Sequence, residues 1–230
     1  MILDERIVAF IQSMDKGNSF FLTNLEQEAL AERIPIIRPD TQSLLRFLLT
    51  LAKPAAILEV GTAIGFSAIL MAENTAAACR ITTIENYEKR IPKARENFKA
   101  SGYEEKITLL SGDAADILPG LTGPYDLIFM DAAKGQYIHF LPEVKRLLSP
   151  GGLLISDNVM QDGEILESRF AVERRNRTIH SRMREYLFAL THDETMETVI
   201  LPVGDGVTLS VVKSGEEKFD AEEKDSKKQL

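Results

Sequence analysis

Asp126-Leu-Ile-Phe-Met-Asp131-Ala-Ala-Lys134-Gly-Gln-Tyr137 is the stretch from which the fold can be read. Four apolar residues in a row, Leu127 to Met130, predict a strand buried on both faces, as in a parallel sheet covered by helices. The strand stops on an acid. In open α/β sheets the carboxyl ends of the strands carry the ligand-binding groups. Asp131 and Lys134 are therefore the first candidates for a functional site.

The same rhythm continues on either side. Short apolar runs at 56–60, 81–84, 107–110, 127–130 and 153–156 alternate with amphipathic stretches at 66–73, 88–100, 114–118 and 137–148. Such alternation predicts βαβ units, right-handed crossovers and a parallel sheet. Pro92 is expected near the first turn of its helix, where proline is tolerated. Beyond Asn158, the polar stretch 163–190 reads as mostly helical. Residues 198–201 and 207–212 then flank a Pro202-Val-Gly-Asp-Gly206 turn, so the sheet should close with an antiparallel hairpin at its edge. Ahead of the first strand, Ile7, Val8, Phe10 and Ile11 have helical spacing. Thr23 and Glu26 form a capping-box pattern that opens a second helix, and a third is expected over about 40–51. The reading is one domain, with a helical extension over 1–51, a sheet core over 55–213 and a disordered charged tail over 214–230.

Composition narrows the class. A chain of 230 residues is long enough for one α/β domain with a sizeable core. No apolar run approaches the roughly 20 residues needed to cross a bilayer, and the N-terminus lacks the layout of a signal peptide. Cys79 is the only cysteine, which excludes an intrachain disulfide and fits a reducing cytoplasm. A net charge of −8 argues against indiscriminate binding to nucleic acid, though not against a local basic patch.

The strand ends carry the chemistry. Glu59-Val-Gly61-Thr-Ala-Ile-Gly65-Phe-Ser67 follows the first strand and opens a helix. Its spacing is not the Gly-x-Gly-x-x-Gly of nicotinamide and flavin sites. A pyrophosphate avoids a neighbouring anion, whereas Glu59 suits a cationic ligand, which favours an amino-acid-bearing cofactor such as S-adenosylmethionine (SAM). The pattern also fits a βα turn that holds no ligand. Glu85 ends the second strand, where an acid accepts from ribose hydroxyls in NAD and SAM proteins alike; a solvated strand-end glutamate reads equally well. Gly112-Asp113-Ala114 ends the third strand and leaves room for adenine. Asp157-Asn158 follows the apolar run 153–156. Parallel neighbours lie about 4.8 Å apart, so Asp131 and Asp157 could converge. Two carboxylates and a carboxamide are hard oxygen ligands that suit Mg²⁺ or another divalent cation. Capping of the following segment is the alternative for Asp157-Asn158.

Together, Ile-Leu-Glu59-Val-Gly-Thr-Ala-Ile-Gly-Phe-Ser, Asp131-Ala-Ala-Lys134-Gly-Gln-Tyr and Ser-Asp157-Asn158-Val resemble the cation-dependent SAM O-methyltransferases of the catechol and caffeoyl-coenzyme A type. The resemblance covers about residues 34–212. It implies a Rossmann-like class I methyltransferase with a seven-stranded, mostly parallel sheet, an antiparallel last strand and helices on both faces. It implies a divalent cation on Asp131, Asp157 and Asn158. It also implies SAM contacts from Ile37, Glu59, Gly61, Ala63, Ser67, Glu85, Asp113, Ala114 and Asp131, with Lys134 as the catalytic lysine, and a homodimer.

A narrower resemblance, carried by Ala-Ile-Gly-Phe-Ser, Ala-Lys-Gly-Gln-Tyr and Pro202-Val-Gly-Asp-Gly206, is to bacterial tRNA 5-hydroxyuridine O-methyltransferases. It implies tRNA as partner, with 5-methoxyuridine formed at the wobble position. The 5-hydroxyl and 4-carbonyl oxygens of that base are neighbours, as in a catechol. Residues 169–184 hold six arginines against one acid, +5 in a chain whose total is −8. Arg174, Arg175 and Arg177 are expected at an RNA-facing rim. Salt-bridged helix surface is the alternative for them. Small catechols or hydroxycinnamoyl thioesters are the other acceptors, and a non-catalytic SAM- or RNA-binding protein is the reading from a different class. Val199 stands where the catechol enzyme carries an extra acid near its metal.

Overall fold

The computed structural model describes residues 4–213; the charged stretch 214–230 lies outside the described residues. Seven strands form one sheet in the order β3-β2-β1-β4-β5-β7-β6. β1 (Ala56–Val60), β2 (Arg80–Glu85), β3 (Ile107–Ser111), β4 (Tyr125–Met130) and β5 (Leu148–Ser156) are parallel neighbours. β7 (Val207–Val212) pairs antiparallel with both β5 and β6 (Met196–Leu201). The antiparallel strand is thus one position inside the edge, and β6 forms the edge itself.

The expected burial on both faces is visible residue by residue. Leu127 and Phe129 of β4 join one core layer with Ile57, Ile81 and Ile155. That layer packs beneath α2 (Phe20–Ala31), α3 (Pro39–Ala52), α4 (Phe66–Glu73) and α5 (Ile91–Ala100). Ile128 and Met130 face the opposite layer with Leu58, Val60 and Leu154. Helices α6 (Ala114–Ile117), α7 (Tyr137–Leu147) and α8 (Arg177–Thr191) cover that side. All four β4 residues are fully shielded, each such side chain contributing about 1.5–3 kcal/mol of burial free energy. That dense stack holds the strand ends rigidly.

Helix ends follow local chemistry, with two departures from expectation. Ser19, not Thr23, caps α2, accepting from the Leu22 N–H at 3.2 Å. Thr23 lies in the first turn and donates to the Ser19 carbonyl, so the pair with Glu26 is no capping box. The polar stretch after Asn158 is α-helical only in α8. It begins with a 3₁₀ segment (Gln161–Leu166) in which Asp162 and Gly163 have positive φ. A polar composition does not distinguish such a turn from a helix. Pro92 does fall in the first turn of α5. α1 (Glu5–Ser13) precedes α2 and buries no residue. At the other end of α4 from Ser67, the buried Lys106 ammonium donates to the Ala72 and Thr75 carbonyls, at 2.7 and 3.0 Å. It closes the C-terminus of the helix that the glycine loop opens. Among the described residues no helix is long and apolar enough to cross a membrane.

Candidate functional site

Strand order reverses between β1 and β4, and open α/β sheets bind ligands in the crevice at such a switch point. A cleft of about 420 Å³ opens there. Gly61 makes the crossing possible: at φ +94°, a Cβ on it would lie 2.3 Å from the Asp131 carbonyl oxygen. The β1 loop can therefore press against the end of β4 only as glycine. Ile37, Ala63 and Ser67 line the same cleft. Glu85, Asp113 and Ala114 line it from the ends of β2 and β3. Glu85 is buried, accepting from the Ala63 N–H at 2.7 Å and the Tyr87 N–H at 2.8 Å. Asp113 caps α6 through the Ala115 N–H.

Glu59 is placed differently from the expectation of a cation-facing acid. It is fully buried and does not line the cleft. Its two oxygens accept the hydroxyls of Ser67 and Thr83, each at 2.5 Å. Burial pushes its pKa up to about 7, against the pull of those hydrogen bonds. Ser67, which lines the cleft, links it to that space.

The β4 and β5 ends bring Asp131, Asp157, Asn158 and Lys134 together. Asp157 is fully buried. Its Oδ1 accepts from the Asn158 N–H at 2.8 Å and sits 3.5 Å from Thr41 Oγ1, while Oδ2 is buried without a partner. Lys134 Nζ donates to Asn158 Oδ1 at 2.9 Å. Burial, then the charge of Asp131, raises the Asp157 pKa. Burial likewise raises that of Asp131, with Lys134 opposing it. Two carboxylates share one lysine in low dielectric, and one buried oxygen is orphaned. That is the environment a divalent cation relieves. Among the described residues no three His, Cys, Asp or Glu side chains gather as metal ligands; the third oxygen here is a carboxamide. The residues present fit a hard divalent cation.

Asp205, for which the sequence suggested no role, ties this corner down. It is buried in the β6–β7 turn, and its Oδ1 accepts from the Asp162 N–H at 2.5 Å. Its carbonyl accepts from Met160 N–H, and that of Gly206 from Val159 N–H. Asp162 in turn pairs with Arg38 at 2.6 Å, ahead of α3. Gly206 is required: a Cβ at its φ of +81° would meet Met160 Cγ at 2.4 Å. The loop after Asn158 is thus laced to two distant segments. The repeated glycines of the Pro202–Gly206 turn are the only sign of that close approach in the sequence.

The arginines divide. Arg177 donates to the carbonyls of Val172 and Phe170, and Arg184 to that of Ile165. Arg182 donates to the Gly135 carbonyl at 3.2 Å, so α8 packs on the turn that carries Lys134. Arg175 forms an exposed pair with Glu173. Arg169 and Arg174 are exposed and make no side-chain hydrogen bond or ion pair among the described residues. None of Arg174, Arg175 and Arg177 lines the cleft. His180 is buried in α8, its Nε2 against the Glu167 carbonyl. Val199 is an exposed residue of edge strand β6 and does not line the cleft. A cavity of about 510 Å³ between α1 and α3 is larger than the cleft, but none of the candidate site residues lines it.

A family model described as O-methyltransferase matches residues 12–213. A catechol O-methyltransferase of Niastella koreensis is 32% identical over 186 residues, 77% of this chain and 82% of the relative. A caffeoyl-CoA O-methyltransferase of Populus trichocarpa is 31% identical over 181 residues, 74% of this chain and 72% of the relative. An SAH-bound methyltransferase of Podospora anserina superposes with a TM-score of 0.81 at 28% identity, over 91% of this chain and 94% of that one.

Proposed function

Because the chain belongs to the O-methyltransferase family, we propose that it transfers a methyl group from SAM to a hydroxyl beside a second oxygen, with 5-hydroxyuridine of tRNA as acceptor and 5-methoxyuridine as product. One observation carries the chemistry: Lys134, Asp131 and Asn158 share a cleft wall, above a buried Asp157 oxygen that has no partner. Asp131, Asp157 and Asn158 would hold a divalent cation, which when bound supplies Lewis acidity to two neighbouring acceptor oxygens. Lys134 then stands within reach of the acceptor, to take its hydroxyl proton or to stabilise the oxyanion. Glu85 keeps lone pairs free on both oxygens and suits the ribose hydroxyls. The SAM sulfonium and the acceptor oxygen need in-line alignment, and a rigid strand-end wall supplies it.

The tRNA acceptor is supported by the arginine-bearing segment, whose Arg182 docks on the Lys134 turn. Arg169 and Arg174 of that segment are exposed and make no ion pair among the described residues, which leaves their charge available to phosphates. The names of the relatives favour a second reading, a small catechol or a hydroxycinnamoyl thioester. A non-catalytic binding module would have no need of the Lys134–Asn158 contact over an orphaned carboxylate.

Tritiated SAM with tRNA carrying 5-hydroxyuridine, and separately with a catechol, each with and without EDTA, tests both parts. Label should enter the tRNA, EDTA should abolish it, and Lys134→Met should lower it by about 10²–10⁴-fold. Label in the catechol alone would sink the tRNA acceptor, and EDTA-resistant transfer would sink the metal.

A further inference from the structure

Tyr137, which closes the segment running from Asp126 through β4, is left unused by the proposed chemistry. Its ring is fully buried. Its hydroxyl lies 3.0 Å from the Met130 carbonyl oxygen and 3.1 Å from the Asp157 carbonyl oxygen. Met130 is the residue before Asp131, and Asp157 is itself a candidate ligand. Tyr137 also begins α7, directly after the 3₁₀ turn that carries Lys134. One phenol therefore touches the ends of β4 and β5 and is covalently tied to the third carrier.

We propose that Tyr137 is a positioning residue that sets the spacing of the Asp131 and Asp157 strand ends by sharing its hydroxyl proton between the two carbonyls. This rests on the divalent-cation reading of the site. The strand ladder alone reaches this corner with one bond, from the Asp157 N–H to the Met130 carbonyl at 3.0 Å. A single bond at a strand terminus allows the two ends to splay. The phenol adds a second link on the far side, from Asp157 back to Met130, and closes the corner into a ring. Tyr186 holds Tyr137 in place, edge-on at 5.4 Å and 76°, and its own hydroxyl is 2.6 Å from Ser156 Oγ. The two tyrosines differ in what they hold. Tyr137 reads the ligand-bearing residues, whereas Tyr186 reads a side chain inside β5.

Groups that orient metal ligands from behind matter to affinity: their removal typically weakens metal binding about 10–100-fold. Mn²⁺ binding to the purified protein, followed by the loss of free Mn²⁺ signal in EPR, reads this without turnover. Tyr137→Phe should fold, keep its SAM dissociation constant within about twofold, and bind Mn²⁺ about tenfold or more weakly. Tyr186→Phe should cost stability while leaving Mn²⁺ affinity within about twofold of wild type. Equal Mn²⁺ affinity for Tyr137→Phe and wild type would overturn the role of Tyr137 and leave the cation reading standing. A wild-type protein that binds no Mn²⁺ would instead remove the cation reading, and this proposal with it. If Tyr137→Phe does not fold, the wild type still decides: in proton NMR the Tyr137 hydroxyl, held between two carbonyls, should give a slowly exchanging signal that shifts when Mg²⁺ is added, and a hydroxyl that exchanges freely or is unmoved by Mg²⁺ would overturn the proposal.

Discussion

Glu59 shows what a single buried acid does to this molecule. Its carboxyl is held by Ser67 and Thr83, and burial still raises its pKa from the ordinary 4.5 to about 7. Between those values the folded protein keeps the proton and the unfolded chain has lost it. The contribution of Glu59 to stability is therefore largest at and below pH 4.5, declines as pH rises toward about 7, and is flat above. Glu59→Gln removes the titration without changing the volume. The melting temperature of the variant should rise relative to wild type between pH 5 and pH 8; a difference that stays constant across that range would mean Glu59 does not titrate there. The same residue illustrates why a side chain's surroundings are hard to read from sequence. An acid ahead of a glycine loop is expected to face a cation, but strand alternation turns it inward, under Ser67.

At the level of elements, the site depends on loops that press against strands. The β1 loop crosses the β4 end at Gly61, and both its positive φ and the missing Cβ are needed. Gly61→Ala should cost about 1–3 kcal/mol from backbone strain alone, and more from the clash with the Asp131 carbonyl. Urea unfolding and SAM calorimetry should both register it, with Gly120→Ala as control because nothing lies within 4 Å of a Cβ there. Stability and SAM affinity equal to those of the control would mean the loop can retreat from β4 at no cost. Element identities were largely legible: apolar runs located the five parallel strands, and Val207–Val212 matched its predicted bounds. The stretch before α8 was not, because Asp162 and Gly163 take positive φ in response to Asp205, 43 residues away from Asp162. No local period encodes that.

Over the whole molecule, an acidic chain carries one arginine-rich segment beside the turn that holds Lys134. With tRNA as acceptor, binding should weaken steeply with salt. Reversing Arg174 and Arg175 to Glu should flatten that dependence by roughly one unit of log–log slope for each phosphate no longer neutralised. Methylation of a small catechol should be spared; equal impairment with both acceptors would make these arginines structural. By itself the sequence determined the parallel sheet, its hairpin edge and the strand-end set Gly61, Glu85, Asp131, Lys134, Asp157 and Asn158. Burial and turn chemistry are written locally, and strand ends are where they change. The tertiary structure alone decided which acids are orphaned, which arginines are committed to carbonyls, and that Arg38, Asp162 and Asp205 lace the corner together. Arg38 and Asp162 lie 124 residues apart, and only the packing of the β6–β7 turn against the start of α3 brings such segments into contact.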